Sequence, residues 1–226
     1  MRVAVEIPLK ARSSTRVPNK NFRDLCGKPL CCWLLDELTR CAPAEWDLFI
    51  DSESASVMDN FEERYGERLQ FHQRLPWFAG DQANGNHLIH QFALQHPDYD
   101  VYLQLFVTAV TLKGEIVLES VTQFLNCLDR YDSMFLVTQE PGWIWYQGQA
   151  VNYDPHRPDG LPRSQDAQYL LETTGLYAIT RDAVFRTGCR IGNQPLLYPV
   201  EPQYALDIDT MHDLREAERI LGLDRG

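Results

Sequence analysis

Short apolar runs alternate with helical stretches along most of this chain, and that alternation limits the fold more than any other feature. Val3 to Pro8, Trp46 to Ile50, Leu69 to His72, Val101 to Val107 and Ser133 to Thr138 read as strands. Between them, a face of Leu30, Trp33, Leu34 and Leu38, and the stretches Ser52 to Tyr65, Asn84 to Gln95 and Glu115 to Leu128, read as helices. Pro29 suits the first position of the first helix, and Ser52 suits the cap of the second. Strand–helix alternation of this kind predicts an α/β fold with a doubly wound, mostly parallel sheet. The pattern breaks over residues 140–168, which hold four prolines and three glycines around Trp143, Trp145 and Tyr146. That stretch predicts an excursion of short hairpins. Tyr169 to Ile179 resumes the sheet, and a last strand, Tyr204 to Ile208, is expected to lead into a helix from Met211 to Leu221.

The 226 residues suffice to bury a full core. No apolar run is long enough to cross a bilayer, and Met1 to Pro8 carries Arg2 and Glu6 and reads as a buried strand rather than a signal peptide. The six cysteines include no CxxC pair. Their spacing suits neither a zinc site nor a disulfide framework, so reduced thiols and a cytoplasmic location are expected.

A net charge of −11 disfavours a nucleic-acid partner. The charge is unevenly spread. Of four lysines, Lys10, Lys20 and Lys28 lie between residues 10 and 28, with Arg12, Arg16 and Arg23 beside them and Asp24 as the only acid. The cationic loop follows the first strand, and ligands of open α/β sheets sit beyond the carboxyl ends of strands. Cations and backbone N–H groups there suit a polyphosphate. Neither GxxxxGK[ST] nor GxGxxG occurs, which disfavours a P-loop and a dinucleotide site.

A second constellation is Asp207 and Asp209 with Thr210. On a continuing strand both carboxylates would share one face, where they could hold Mg²⁺ together with substrate phosphates. Thr210 would then cap the next helix, with Asp213 in the capping-box position. His87 and His90 stand three apart on a helix without an evident third ligand, so a metal there is disfavoured. No Ser/His/Asp or Cys/His triad follows from the spacing.

These pieces, taken in order, resemble the sugar-acid cytidylyltransferases, above all the N-acylneuraminate group and more distantly the CMP-Kdo synthetases. STRVPNKN over residues 14–21 and GKPL over 27–30 resemble the family's opening signature. DIDT over 207–210, followed by Asp213 and Leu214, resembles its closing one. Ile50 to Glu53, Leu103–Gln104, Arg163 to Asp166 and Glu172 to Tyr177 fall between them in the family's order.

The resemblance implies a nucleotide-diphospho-sugar transferase-like domain over residues 1–139 and 169–226, with 140–168 as a possible dimerisation element. It implies that Arg12, Arg16 and Lys20 face the phosphates of CTP and that Lys10, Ser14, Asn21 and Asp81 bind the nucleotide. Gln104, Arg163 and Gln165 would line the acceptor pocket, with Arg163 on a carboxylate. Asp207 and Asp209 would bind Mg²⁺, with Asp209 also serving catalysis. The loop after Pro8 is one residue longer than the family's pattern, so either Lys10 or Arg12 can take its arginine role. After Gln104 the family often has Pro-Thr-Ser-Pro where this chain has LFVTAV over residues 105–110. The expected activity is a CTP-dependent, Mg²⁺-dependent transfer to a nonulosonic acid in a homodimer. A phosphonate or other small acid acceptor is one alternative, and an inactive nucleotide-binding relative is another.

Overall fold

The apolar runs of the sequence lie side by side in one seven-stranded sheet. The structure is a computed structural model, and it describes residues 1–11 and 17–223. The sheet strands are β1 (Val3–Pro8), β4 (Trp46–Ser52), β5 (Leu69–Gln73), β6 (Val101–Leu105), β7 (Ser133–Pro141), β10 (Gln168–Thr180) and β11 (Pro195–Pro199). Two-residue ladders pair β2 (Asp24–Leu25) with β3 (Lys28–Pro29), and β8 (Trp145–Tyr146) with β9 (Gln149–Ala150). The helices are α1 (Cys31–Cys41), α2 (Glu62–Tyr65), α3 (Gly85–Gln95), α4 (Gly114–Leu125), α5 (Arg181–Thr187) and α6 (Met211–Leu223).

The strand order is β11-β7-β10-β6-β1-β4-β5. Only β10 runs against its neighbours, pairing antiparallel with both β6 and β7. The sheet is therefore mostly parallel, with helices on both faces. Alternate side chains of a strand point to opposite faces, and the two faces differ in chemistry. Val3, Val5 and Ile7 of β1, Leu48 and Ile50 of β4, and Leu103 and Leu105 of β6 pack with Leu34 and Leu38 of α1 and Val121 and Phe124 of α4. The opposite face begins apolar, with Ala4, Phe49 and Tyr102 against Ile89 and Phe92 of α3 and Val184 of α5. It ends polar: Glu6, Asp51 and Gln104 are next on the same face, and all three are buried. A third cluster seats α6 through Ile208, Leu214, Ala217 and Leu221 on Leu25, Leu30 and Val110.

Several local expectations change. The helix expected over 52–65 is instead the end of β4, a 3₁₀ stretch Ala55–Asn60 and the single turn α2. Ser52 is held in the sheet by its pairing with Gln73, so it cannot cap a helix. Pro29 lies in β3 rather than opening α1, because Cys26 (φ 52°) and Gly27 (φ 88°) make a tight reversal. The strand expected at Tyr204 to Ile208 is a 3₁₀ turn, Pro202–Tyr204, followed by irregular chain. Ile208 N–H donates to the Thr108 carbonyl at 3.2 Å. The edge beside β7 is taken by β11, whose terminal prolines suit an edge strand. The sequence reading did not contain β11 or α5.

All six cysteines are free thiols, with Cys31 and Cys32 buried. Among the described residues no helix is long and apolar enough to cross a membrane.

Candidate active site

The loop after β1 and the segment before α6 meet beyond the carboxyl ends of β1 and β6. The Lys20 ammonium donates to the Ile208 carbonyl at 2.8 Å and lies 3.4 Å from Asp209 Oδ1. Lys20 is held with only 14% of its side chain exposed, whereas Asp209 is 44% exposed. A cation 188 positions upstream thus reaches the acid pair. The Asn21 amide donates to the Lys10 carbonyl at 3.0 Å, fastening the end of the cationic loop to its beginning. Lys10 lies 3.5 Å from Asp81, a surface pair with Asp81 fully exposed. Solvent screens such a pair almost completely. Arg12, Ser14 and Arg16 lie outside the described residues.

The acid pair is set by the start of α6. Asp213 Oδ2 accepts from the backbone N–H groups of Asp209 (3.0 Å) and Thr210 (2.7 Å). Thr210 Oγ1 in turn accepts from the N–H of His212 and of Asp213. This reciprocal cap holds residues 209–213 in one geometry. Burial alone would raise the Asp213 carboxyl, but the N–H groups of Asp209 and Thr210 and the Thr210 hydroxyl bring it below the usual range.

The pair does not stand on a strand, so the reason for expecting a shared face fails. Ile208, between the two acids, is fully buried under α6. Asp207 Oδ1 is buried without a hydrogen-bond partner among the described residues. An orphaned carboxylate oxygen is costly unless a cation or donor completes it. A hard cation with oxygen ligands fits the donor set of Asp207 and Asp209.

Beyond the acids lies a second cluster. The Gln104 side-chain amide donates to Glu6 Oε2 at 2.7 Å and to the Gly85 carbonyl at 3.0 Å. Its Oε1 is buried with no hydrogen-bond partner among the described residues. Beneath it, Arg74 grips the Asp51 carboxylate through Nε and Nη2 at 2.9–3.1 Å. Burial, then the neighbouring Asp51 charge, pushes the Glu6 carboxyl well above the usual range. The shift favours the neutral form of Glu6, which eases the placing of two carboxyl groups on one buried floor.

The next strand along the sheet is β10, whose Tyr177 pairs across from Gln104 of β6. Between Glu172 and Tyr177 its register slips, so five steps along β10 span two along β7. Residues five apart on a regular strand face opposite sides. The irregularity turns both inward, and the Tyr177 hydroxyl donates to Glu172 Oε1 at 2.6 Å. Burial, then the Glu172 bond, raises the Tyr177 hydroxyl above its ordinary range, and the Asp207 charge adds to the shift. The Arg190 guanidinium lies 3.7 Å above the Tyr177 ring and 3.5 Å from Glu172.

Arg163 and Gln165 are exposed on the excursion. Their backbone carbonyls hold local turns, accepting from Asp166, Ala167 and Gln168. Among the described residues neither bonds to Gln104. His87 caps α3, its Nδ1 accepting from Asn84 N–H while its own N–H donates to Asn84 Oδ1, both at 3.2 Å. The sequence reading missed Glu6, Asp51, Arg74 and Arg190 as members of the cluster. A charged residue inside the apolar run of β1 was a signal for Glu6. Arg190 had none, because its place depends on the loop after α5 folding back onto α3.

The doubly wound sheet, with one antiparallel strand and buried polar groups toward the carboxyl ends of its parallel strands, is an α/β fold of the kind that binds ligands at that edge. The chain belongs to the cytidylyltransferase family, whose sequence profile matches residues 9–221. It is 26% identical over 217 residues to N-acylneuraminate cytidylyltransferase A of Danio rerio, covering 91% of this chain and 48% of that protein. It is 26% identical over 223 residues to N-acylneuraminate cytidylyltransferase of Oncorhynchus mykiss, covering 94% and 50%. The chain thus spans about half the length of these curated relatives.

The fold matches CMP:2-keto-3-deoxy-manno-octonic acid synthetase complexed with CTP at TM-score 0.66 and 15% identity, covering 99% of this chain and 100% of that one. It also matches 4-diphosphocytidyl-2C-methyl-D-erythritol synthase of Anaerococcus prevotii at TM-score 0.67 and 12% identity, covering 98% and 96%.

Proposed function

We propose that this protein transfers the cytidylyl group of CTP to the hydroxyl of an acidic acceptor, a sugar acid of the nonulosonic type, and releases pyrophosphate. The observation that carries the reading is Lys20 of the cationic loop lying against Asp209 of the acid pair. In a chain of net charge −11, a lysine so placed serves a ligand more negative than the protein around it.

The acceptor oxygen forms a bond to the α-phosphorus of CTP as the bond to the β-phosphate bridging oxygen breaks. The hydroxyl proton passes to solvent. Such a step needs in-line placement and charge neutralisation more than a covalent protein group. Lys20, with Arg12 and Arg16, holds the phosphates. Lys10, Ser14, Asn21 and Asp81 form the nucleotide side, and Gln104 orients the acceptor. Asp207 and Asp209 would hold Mg²⁺, which supplies charge neutralisation at the phosphates. The active unit is a homodimer paired through residues 140–168, whose Trp145 and Tyr146 are 56% and 67% exposed.

The test is pyrophosphate release from each nucleoside triphosphate with Mg²⁺ and a panel of sugar acids and phosphonates. Release with CTP alone, and only with a sugar acid present, is the expected result. Asp209→Ala should lower turnover at least about 100-fold with its melting curve preserved. Nucleotide binding without turnover on any acceptor would overturn the reading in favour of an inactive relative.

A further inference from the structure

We infer that Arg190, rather than Arg163, is the residue that reads the acceptor's anionic group. The inference rests on the proposed transfer to an acidic acceptor and assigns the cation that selects it.

Arg190 sits beside Gln104. The point where a Gly85 Cβ would stand is 2.6 Å from Arg190 Nη1 and 3.1 Å from Gln104 Oε1. The two side chains are therefore close neighbours over the start of α3. The backbone fixes this arrangement, because Arg190 N–H donates to Asn86 Oδ1 at 3.0 Å. Stacking on Tyr177 at 3.7 Å orients the guanidinium plane. Tyr177 stands beside Gln104 in the sheet, so Arg190 and Gln104 share it as a neighbour.

Arg190 keeps capacity for a ligand. Its ion pair with Glu172 is 3.5 Å long, whereas charge-assisted N–H···O bonds run to about 2.7–2.9 Å. Glu172 is already engaged by the Tyr177 hydroxyl. The side chain of Arg190 is 22% exposed, enough to meet a ligand and little enough to give its charge weight. The planar fork of a guanidinium suits a carboxylate. Gln104 Oε1, buried without a hydrogen-bond partner among the described residues, supplies an acceptor for a neighbouring hydroxyl of the same molecule. A 2-hydroxy carboxylic acid, or the cyclic hemiketal of a 2-keto acid, carries a hydroxyl on the carbon next to its carboxylate.

The experiment uses the full chain and measures equilibrium binding by calorimetry, with CTP titrated separately from N-acetylneuraminate and from its methyl ester. Arg190→Met should leave CTP affinity unchanged, weaken N-acetylneuraminate at least about 10-fold, and leave the ester within about 2-fold. Arg190→Lys, which keeps the charge and the stem packing, should fall between the two and guards against a folding defect. Arg163→Met serves as the comparison and should bind the acid as the wild type does. Equal affinity of wild type and Arg190→Met for the acid, a loss in Arg163→Met instead, or no binding of the acid by the wild type would each overturn the assignment. Failure of the wild type to bind CTP would sink the proposed function instead, while the acid titration still reads Arg190.

Discussion

Glu6 shows how one residue can couple the site to the stability of the sheet. Its carboxyl is fully buried, and its pKa is raised well above the ordinary value, first by desolvation and then by the Asp51 charge. A carboxyl whose folded-state pKa lies above its unfolded value contributes most below the ordinary carboxyl range. That contribution is lost as the pH rises toward the folded value. Above about pH 4.5 folding must therefore take up a proton, at a cost of at most about 1.4 kcal/mol per pH unit. Glu6→Gln keeps an acceptor for the Gln104 amide and removes that cost. Its melting temperature, taken relative to wild type, should rise progressively between pH 5 and pH 8, by a few degrees in all. A difference that stays flat across that range, or narrows, would show that Glu6 is ionised in the folded protein.

At the scale of elements, the closeness of α1 and α4 fixes one face of the sheet. The two helices cross at Gly114, where an added Cβ would stand 2.5 Å from the Glu37 carbonyl and 2.8 Å from the Cys41 side chain. Gly114 N–H also donates to Glu37 Oε2 at 3.0 Å. Gly114→Ala must push the helices apart and should destabilise the protein by about 1–3 kcal/mol in urea unfolding. Because α3 and α5 cover the other face, the same variant should leave CTP affinity within about 2-fold. A neutral effect on stability would mean that α4 adjusts freely at its first turn.

At the scale of the whole molecule, the part that projects from the sheet is β10's first half, β7's end and the β8–β9 hairpin. Leu170 and Leu171 are exposed there at 48% and 55%, near Trp143 at 45%. Apolar groups concentrated in one projection suit a self-complementary contact. Sedimentation of the wild type should give twice the monomer mass, and Trp145→Glu with Tyr146→Glu should shift it toward the monomer. A monomeric wild type at micromolar concentration would remove the homodimer from the proposal.

The sequence by itself determined the class of fold and pointed to the two ends of the candidate site. Strand and helix periodicities follow from local geometry, so the alternating order of β1, β4, β5 and β6 with their helices was legible. The island at Lys10 to Lys28 and the acids at 207 and 209 were legible because charge at odds with its surroundings shows in one dimension. Tertiary structure alone decided how those ends meet. The acids proved to lie on irregular chain held by Asp213 and by Ile208 bonding to Thr108. The inward turn of Glu172 and Tyr177 depends on a register slip against β7, and Arg190's position depends on a loop folding back to Asn86. Both arise from contacts between residues dozens of positions apart. No local periodicity records such contacts, because their energy appears only once the sheet has closed.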